Sequence, residues 1–101
     1  MPRYMIEVPH DSDTVECARV VHVFLSTGSH FLTNADWGCQ DGVHCAWIVV
    51  DMPDKQEAAM IVPPAFRSHA RITRLTHFRI EKIEETLRLH GALPGETPRG
   101  G

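Results

Sequence analysis

The stretch from Val43 to Met52, VHCAWIVVDM, constrains the fold of this chain more than any other. It follows Asp41-Gly42, a pair that favours a two-residue type I′ hairpin turn between β-prone runs. One face of the resulting strand carries Val43, Cys45, Trp47 and Val49, and the other carries His44, Ala46, Ile48, Val50 and Met52. A half-exposed antiparallel strand alternates apolar with polar residues, so a strand apolar on both faces has to be covered on both. With Asp41 and Gly42 as the central residues of the turn, Gln40 faces Val43, Cys39 faces His44, Gly38 faces Cys45, Trp37 faces Ala46 and Asp36 faces Trp47. Strands over residues 31–40 and 43–52 follow.

The flanks supply the remaining elements. RYMIEV, residues 3–8, is a short β-prone run closed by Pro9, which lacks a backbone donor. Asp13 and Glu16 have the spacing of a capping box, with Asp as a variant of the usual Ser or Thr. They open a helix over residues 14–27 that carries Val15, Ala18, Val21, His22 and Leu25 on one stripe with Phe24 beside it, and stops at Gly28. DKQEAAMIV makes a short second helix, ended by Pro63-Pro64. RITRLTHF, residues 71–78, reads as a strand whose broken alternation predicts a bulge or an early end. Ile80, Ile83 and Leu87 then mark a third helix stopped by Gly91.

The order is β-α-β-β-α-β plus a C-terminal helix, the plan of a ferredoxin-like α+β domain with a four-stranded antiparallel sheet and two helices on one face. The domain spans residues 1–91, and the Pro/Gly-rich residues 92–101 read as a flexible tail. The third helix alone remains to cover the second sheet face. The doubly apolar strand therefore asks for a second copy of the chain, and a homodimer is expected. A net charge of −3 gives no case for nucleic acid or an anionic membrane, and no apolar run approaches a membrane span. The N-terminus shows no signal peptide, so the three cysteines are expected as free thiols in a reducing cytoplasm.

Trp47-Ile48-Val49-Val50-Asp51-Met52-Pro53, Glu57-Ala58 and Pro63-Pro64-Ala65-Phe66 together resemble the strand–helix–proline–strand layout of the dimeric α/β-barrel superfamily. Within it, residues 42–77 are similar in pattern to the muconolactone-isomerase-like group, and to small domains of which some bind nickel. The resemblance implies a dimeric ferredoxin-like fold. It transfers no activity, because the matched motifs are structural and the superfamily hosts isomerases, oxygenases and plain binders.

Candidate sites rest on the seven histidines, the cysteines and a run of arginines. The hairpin register pairs Cys39 with His44, which could make a Cys–His nucleophile or two ligands of a soft metal. Their closeness to the turn favours the plainer reading, a cysteine acting as a small hydrophobe beside an exposed imidazole. His22, His44 and His77 are the candidates for acid–base catalysis, and Trp37, Trp47 and Arg74 for ligand contact. His10, beside Asp11 and Asp13, is not necessarily remote from His77, since strands 1 and 4 can be neighbours. No H-x-x-x-H or C-x-x-C spacing identifies a metal site, so the metal and cofactor stay unassigned. Arg67, Arg71, Arg74 and Arg79 stand in an acid-free stretch, with Glu7, Asp11, Asp13 and Glu16 clustered elsewhere. They read as ion-pair partners or as a grip for an anionic small molecule. The function expected from the residues is small-molecule binding between sheet and helices, with isomerase-like acid–base chemistry. The alternatives are a histidine-based divalent metal (nickel) protein and a structural dimer.

Overall fold

The computed structural model describes residues 1–95, so residues 96–101 of the expected tail lie outside the described residues. The strands are β1 (Arg3–Pro9), β2 (Asp36–Trp37), β3 (Cys45–Asp51) and β4 (Arg71–Leu75). The helices are α1 (Thr14–Ser26), α2 (His30–Thr33), α3 (Lys55–Met60) and α4 (Ile80–Leu89), with 3-10 turns at Cys39–Asp41 and Pro64–His69. The result is a mixed α/β fold around one four-stranded sheet of order β2-β3-β1-β4, antiparallel throughout.

Alternation along β1 and β3 decides which face is core. Tyr4, Ile6 and Val8 on β1, and Ala46, Ile48 and Val50 on β3, are all buried against the helices. Val20 and Phe24 of α1, Leu32 of α2, Ala58 of α3 and Val62 complete the cluster. Phe24 is its centre, fully buried with its ring 5.0 Å from Trp37 and 6.0 Å from Phe66. Burying each such side chain contributes roughly 1.5–3 kcal/mol.

Several expectations are corrected here. Residues 31–40 are not one strand. Ser29 caps α2 by accepting from the Leu32 N–H, and the side chains of Thr33 and Asn34 bond back to the Ser29 and His30 carbonyls. These local bonds offer the backbone an alternative to the sheet ladder, and strand pairing survives only at Asp36 and Trp37. Those two residues nevertheless keep the expected register, Asp36 with Trp47 and Trp37 with Ala46. The turn is longer than two residues. Asp41 belongs to a 3-10 turn, and only Gly42, at φ 79°, adopts the left-handed backbone that a type I′ turn needs at both central positions. Gly38 has a different constraint, because a Cβ there would lie 2.6 Å from the Val43 carbonyl oxygen and 2.7 Å from the Trp47 ring.

Helix α1 is rotated from the expected stripe. Its inward side carries Cys17, Val20 and Phe24, whereas Val15, His22 and Leu25 are exposed. The Asp13 cap is as expected, its carboxylate accepting from the Glu16 N–H at 3.1 Å. Strand β4 ends early, at Leu75.

Among the described residues, no helix covers the second sheet face. It presents Met5, Trp47, Val49 and Leu75 among the exposed ion pairs Arg3–Asp51 and Arg71–Glu7, and Val49 is 52% exposed. Helix α4 buries no residue anywhere: Ile80 is 68% and Leu89 79% exposed. The radius of gyration, 19.7 Å, exceeds the roughly 13 Å of a compact chain of about 100 residues.

Candidate metal centre

The ladder between β1 and β3 closes at Pro9 opposite Cys45. One step further, His10 stands opposite His44, and its backbone N–H donates to the His44 carbonyl at 3.0 Å. The β2–β3 pairing ends at Gly38, whose N–H donates to the Cys45 carbonyl at 3.1 Å, and the 3-10 turn that follows brings Cys39 beside His44. His10, His44 and Cys39 thus form a row across three chain segments just beyond the sheet end. Cys17 reaches them from the first turns of α1, whose start is held by Asp13: the Cys17 N–H donates to the Asp13 carbonyl at 2.8 Å.

The side chains of this quartet converge. One ligand atom from each of His10, Cys17, Cys39 and His44 lies within 4.8 Å of all the others, and all four residues are half-buried. His10 Nε2 is 3.2 Å from Cys39 Sγ. The two imidazoles meet edge to face at 5.5 Å, and Trp37 packs on the His10 ring at 5.7 Å. Tetrahedral zinc, with Zn–S near 2.3 Å and Zn–N near 2.0–2.1 Å, separates its donor atoms by about 3.3–3.8 Å. A contraction of about 1.5 Å at most brings the quartet to that geometry.

The electrostatics suit a cation. Burial is the main cause that holds the His10 imidazole below its ordinary pKa, and His44 pushes the same way, against the Val8 backbone and Asp11. A neutral imidazole keeps the lone pair that a metal needs. Burial also raises the Cys39 thiol, and the hydrogen bond and charge of Cys17 add to it. His10 Nδ1 and His44 Nδ1 are buried with no hydrogen-bond partner among the described residues, an uncommon state for buried polar atoms. Cys45 stands apart: it is buried, its thiol donates to the Ala46 carbonyl, and its pKa is raised chiefly by burial.

His44 and Trp37, of the residues expected from sequence, belong to this site or its shell. His22 is exposed on α1. His77 is exposed past the end of β4, where the antiparallel register carries it toward residue 1. That is the opposite end of β1 from His10, about 30 Å away at a strand's rise per residue, so the two histidines are not neighbours. Trp47 lies on the open sheet face and donates to Glu7 at 3.3 Å. Arg74 is exposed opposite Tyr4. Of the other arginines, Arg71 pairs with Glu7 at 4.0 Å and Arg67 donates to the Val62 and Met60 carbonyls. A cavity of about 470 Å³ adjoins the His/Cys quartet, lined by Pro9, His10, Asp11, Glu16, Val20, Phe66 and His69. No described helix is long and apolar enough to cross a membrane.

No protein-family profile, curated protein or solved structure matches the chain.

Proposed function

We propose that this chain is a metal-binding protein whose His10, Cys17, Cys39 and His44 hold one zinc-class cation. The observation that carries the reading is the convergence of four donor atoms within 4.8 Å from segments far apart in sequence. Two imidazoles and two thiolates suit the tetrahedral preference of Zn²⁺ better than the octahedral preference of hard, oxygen-seeking ions or the square-planar preference of Ni²⁺ and Cu²⁺. Four protein donors leave no open position, which is the pattern of a structural site. The cation would tie the end of β1, the start of α1 and the β2–β3 turn to one point. Nickel, the metal suggested by the family resemblance, competes for the same imidazoles.

The test is the metal content of the untagged protein after exposure to equimolar zinc, nickel and cobalt, followed by gel filtration. One zinc per chain is expected, lost in Cys17→Ser and His44→Ala and kept in Cys45→Ser. Retention of no metal removes the reading.

The ferredoxin-like plan belongs to the same proposal. It is supported by a central β1–β3 pair flanked by β2 and β4, with α1 and α3 in the two crossovers. The homodimer is supported by the uncovered sheet face and by α4. An isolated helix of about ten residues is marginal in water, and an apolar stripe that finds no cover in its own chain gains by meeting a second copy. A reducing cytoplasm would keep the thiols available as ligands. Small-molecule binding remains a second reading, favoured by the cavity that shares His10 with the metal site.

A further inference from the structure

We infer that Cys17 and Cys39 form a reversible dithiol–disulfide pair whose oxidation by a peroxide dismantles the metal site. The inference rests on the metal reading above and adds its regulation. The two sulfurs are among the four donor atoms held within 4.8 Å. A disulfide needs them about 2.05 Å apart, so each sulfur has to travel little more than an ångström. Both cysteines are half-buried and reachable by a small oxidant, whereas Cys45 is buried and outside the quartet.

The chemistry balances with hydrogen peroxide as oxidant. One thiolate sulfur attacks the peroxide, breaking the O–O bond to give a sulfenic acid and, after protonation, one water. The second sulfur attacks the sulfenic sulfur, the S–S bond forms, and the hydroxyl leaves as a second water. The two sulfurs together lose two electrons, and the two peroxide oxygens gain them. A disulfide is a poor metal donor, so the cation is left with His10 and His44 alone and dissociates. A dithiol reductant returns both thiols and rebuilds the donor set.

The experiment treats the full chain, loaded with zinc, with hydrogen peroxide. Released zinc is read with a chromogenic chelator, and the cysteines are mapped by mass spectrometry. One zinc released per Cys17–Cys39 disulfide is expected, with loss of two hydrogens from that peptide pair, Cys45 still a thiol, and zinc uptake restored by dithiothreitol. Cys45→Ser should behave as the wild type. Zinc retained through the treatment, or released while Cys39 pairs with Cys45 or goes to sulfinic acid, overturns the inference and leaves the metal reading standing. A chain that takes no zinc but still forms the Cys17–Cys39 bond in preference to any other supports the pair and removes the metal reading.

Discussion

Gly38→Ala probes how the β2–β3 turn holds half of the His/Cys quartet proposed to bind zinc. Gly38 immediately precedes Cys39, and its carbonyl accepts from both Asp41 and Val43. The new Cβ would meet the Val43 carbonyl oxygen at 2.6 Å and the Trp47 ring at 2.7 Å. The oxygen is backbone and cannot swing aside, so the turn has to open by about 0.8 Å or more to reach ordinary contact. Overpacking of this kind costs about 1–3 kcal/mol. Alanine recovers about 0.4–1 kcal/mol by restricting the unfolded chain, since the φ of −100° at Gly38 is one that alanine adopts. The net loss, about 1.3 kcal/mol at the middle of these ranges, lowers Tm by about 5–10 °C in a domain of this size. Opening the turn also moves Cys39 relative to His44, so zinc affinity falls by about tenfold for each 1.4 kcal/mol of mismatch. Thermal melts with and without zinc, together with competition titration against a chelator, read the two effects separately. The control is Gly42→Asn, where φ is 79° but nothing lies within 4 Å of the added carbon. Asparagine tolerates that backbone, so this variant should keep its zinc and most of its stability. A Gly38→Ala protein with the wild-type Tm and zinc affinity would refute the reasoning.

Zinc at 100 times its Kd should stabilise the wild type by about 2.7 kcal/mol, raising Tm by about 10–20 °C, while Cys17→Ser should melt at the same temperature with and without the metal. Phe24→Ala removes the fully buried ring between Trp37 and Phe66 and should cost about 3–5 kcal/mol in chemical denaturation; a loss under about 1 kcal/mol would mean that the α1 packing is misplaced. Sedimentation equilibrium at micromolar concentration should give about twice 11.4 kDa. Val49→Lys on the open sheet face should shift the mass toward the monomer, whereas a wild-type monomer would leave the second face and α4 without the expected cover.

Much of the fold can be read from the chain because the decisive segments are strongly patterned. Tyr4, Ile6 and Val8 alternate with Arg3, Met5 and Glu7, which marks the core face of β1, and the β1–β3 register places Val50, Ile48 and Ala46 on that same face of the doubly apolar β3. The Asp36–Trp47 and Trp37–Ala46 register follows from the Asp41-Gly42 pair although the turn itself is built differently. Residues 31–40 mislead because Phe31, Leu32 and Thr33 are β-prone, while the backbone outcome is set by hydrogen bonds from Ser29, Thr33 and Asn34. Helix α1 misleads for another reason. It has apolar residues on several sides, and only contact with Trp37 and the sheet selects the side that carries Val20 and Phe24.

That rotation decides whether the His/Cys quartet can be seen in the sequence. Cys39 opposite His44 is already given by the hairpin register, and read alone it is two residues at the end of a turn. His10 enters only when the β1–β3 ladder is known to end with Pro9 opposite Cys45, which makes His10 and His44 the next pair along. Cys17 enters only when α1 is turned so that positions 17, 20 and 24 face inward. Each step is a tertiary fact, and the separations 10, 17, 39 and 44 match no compact metal motif. A site assembled from one row across a sheet end and one helical turn above it has no local signature. What the sequence does hold is the requirement for three strands in register and one helix in phase, and those same contacts carry the hydrophobic core. The packing of Phe24 against Trp37, and of Trp37 against His10, therefore links the core directly to the donor atoms. A substitution at Trp37 should loosen the core and the proposed metal site together.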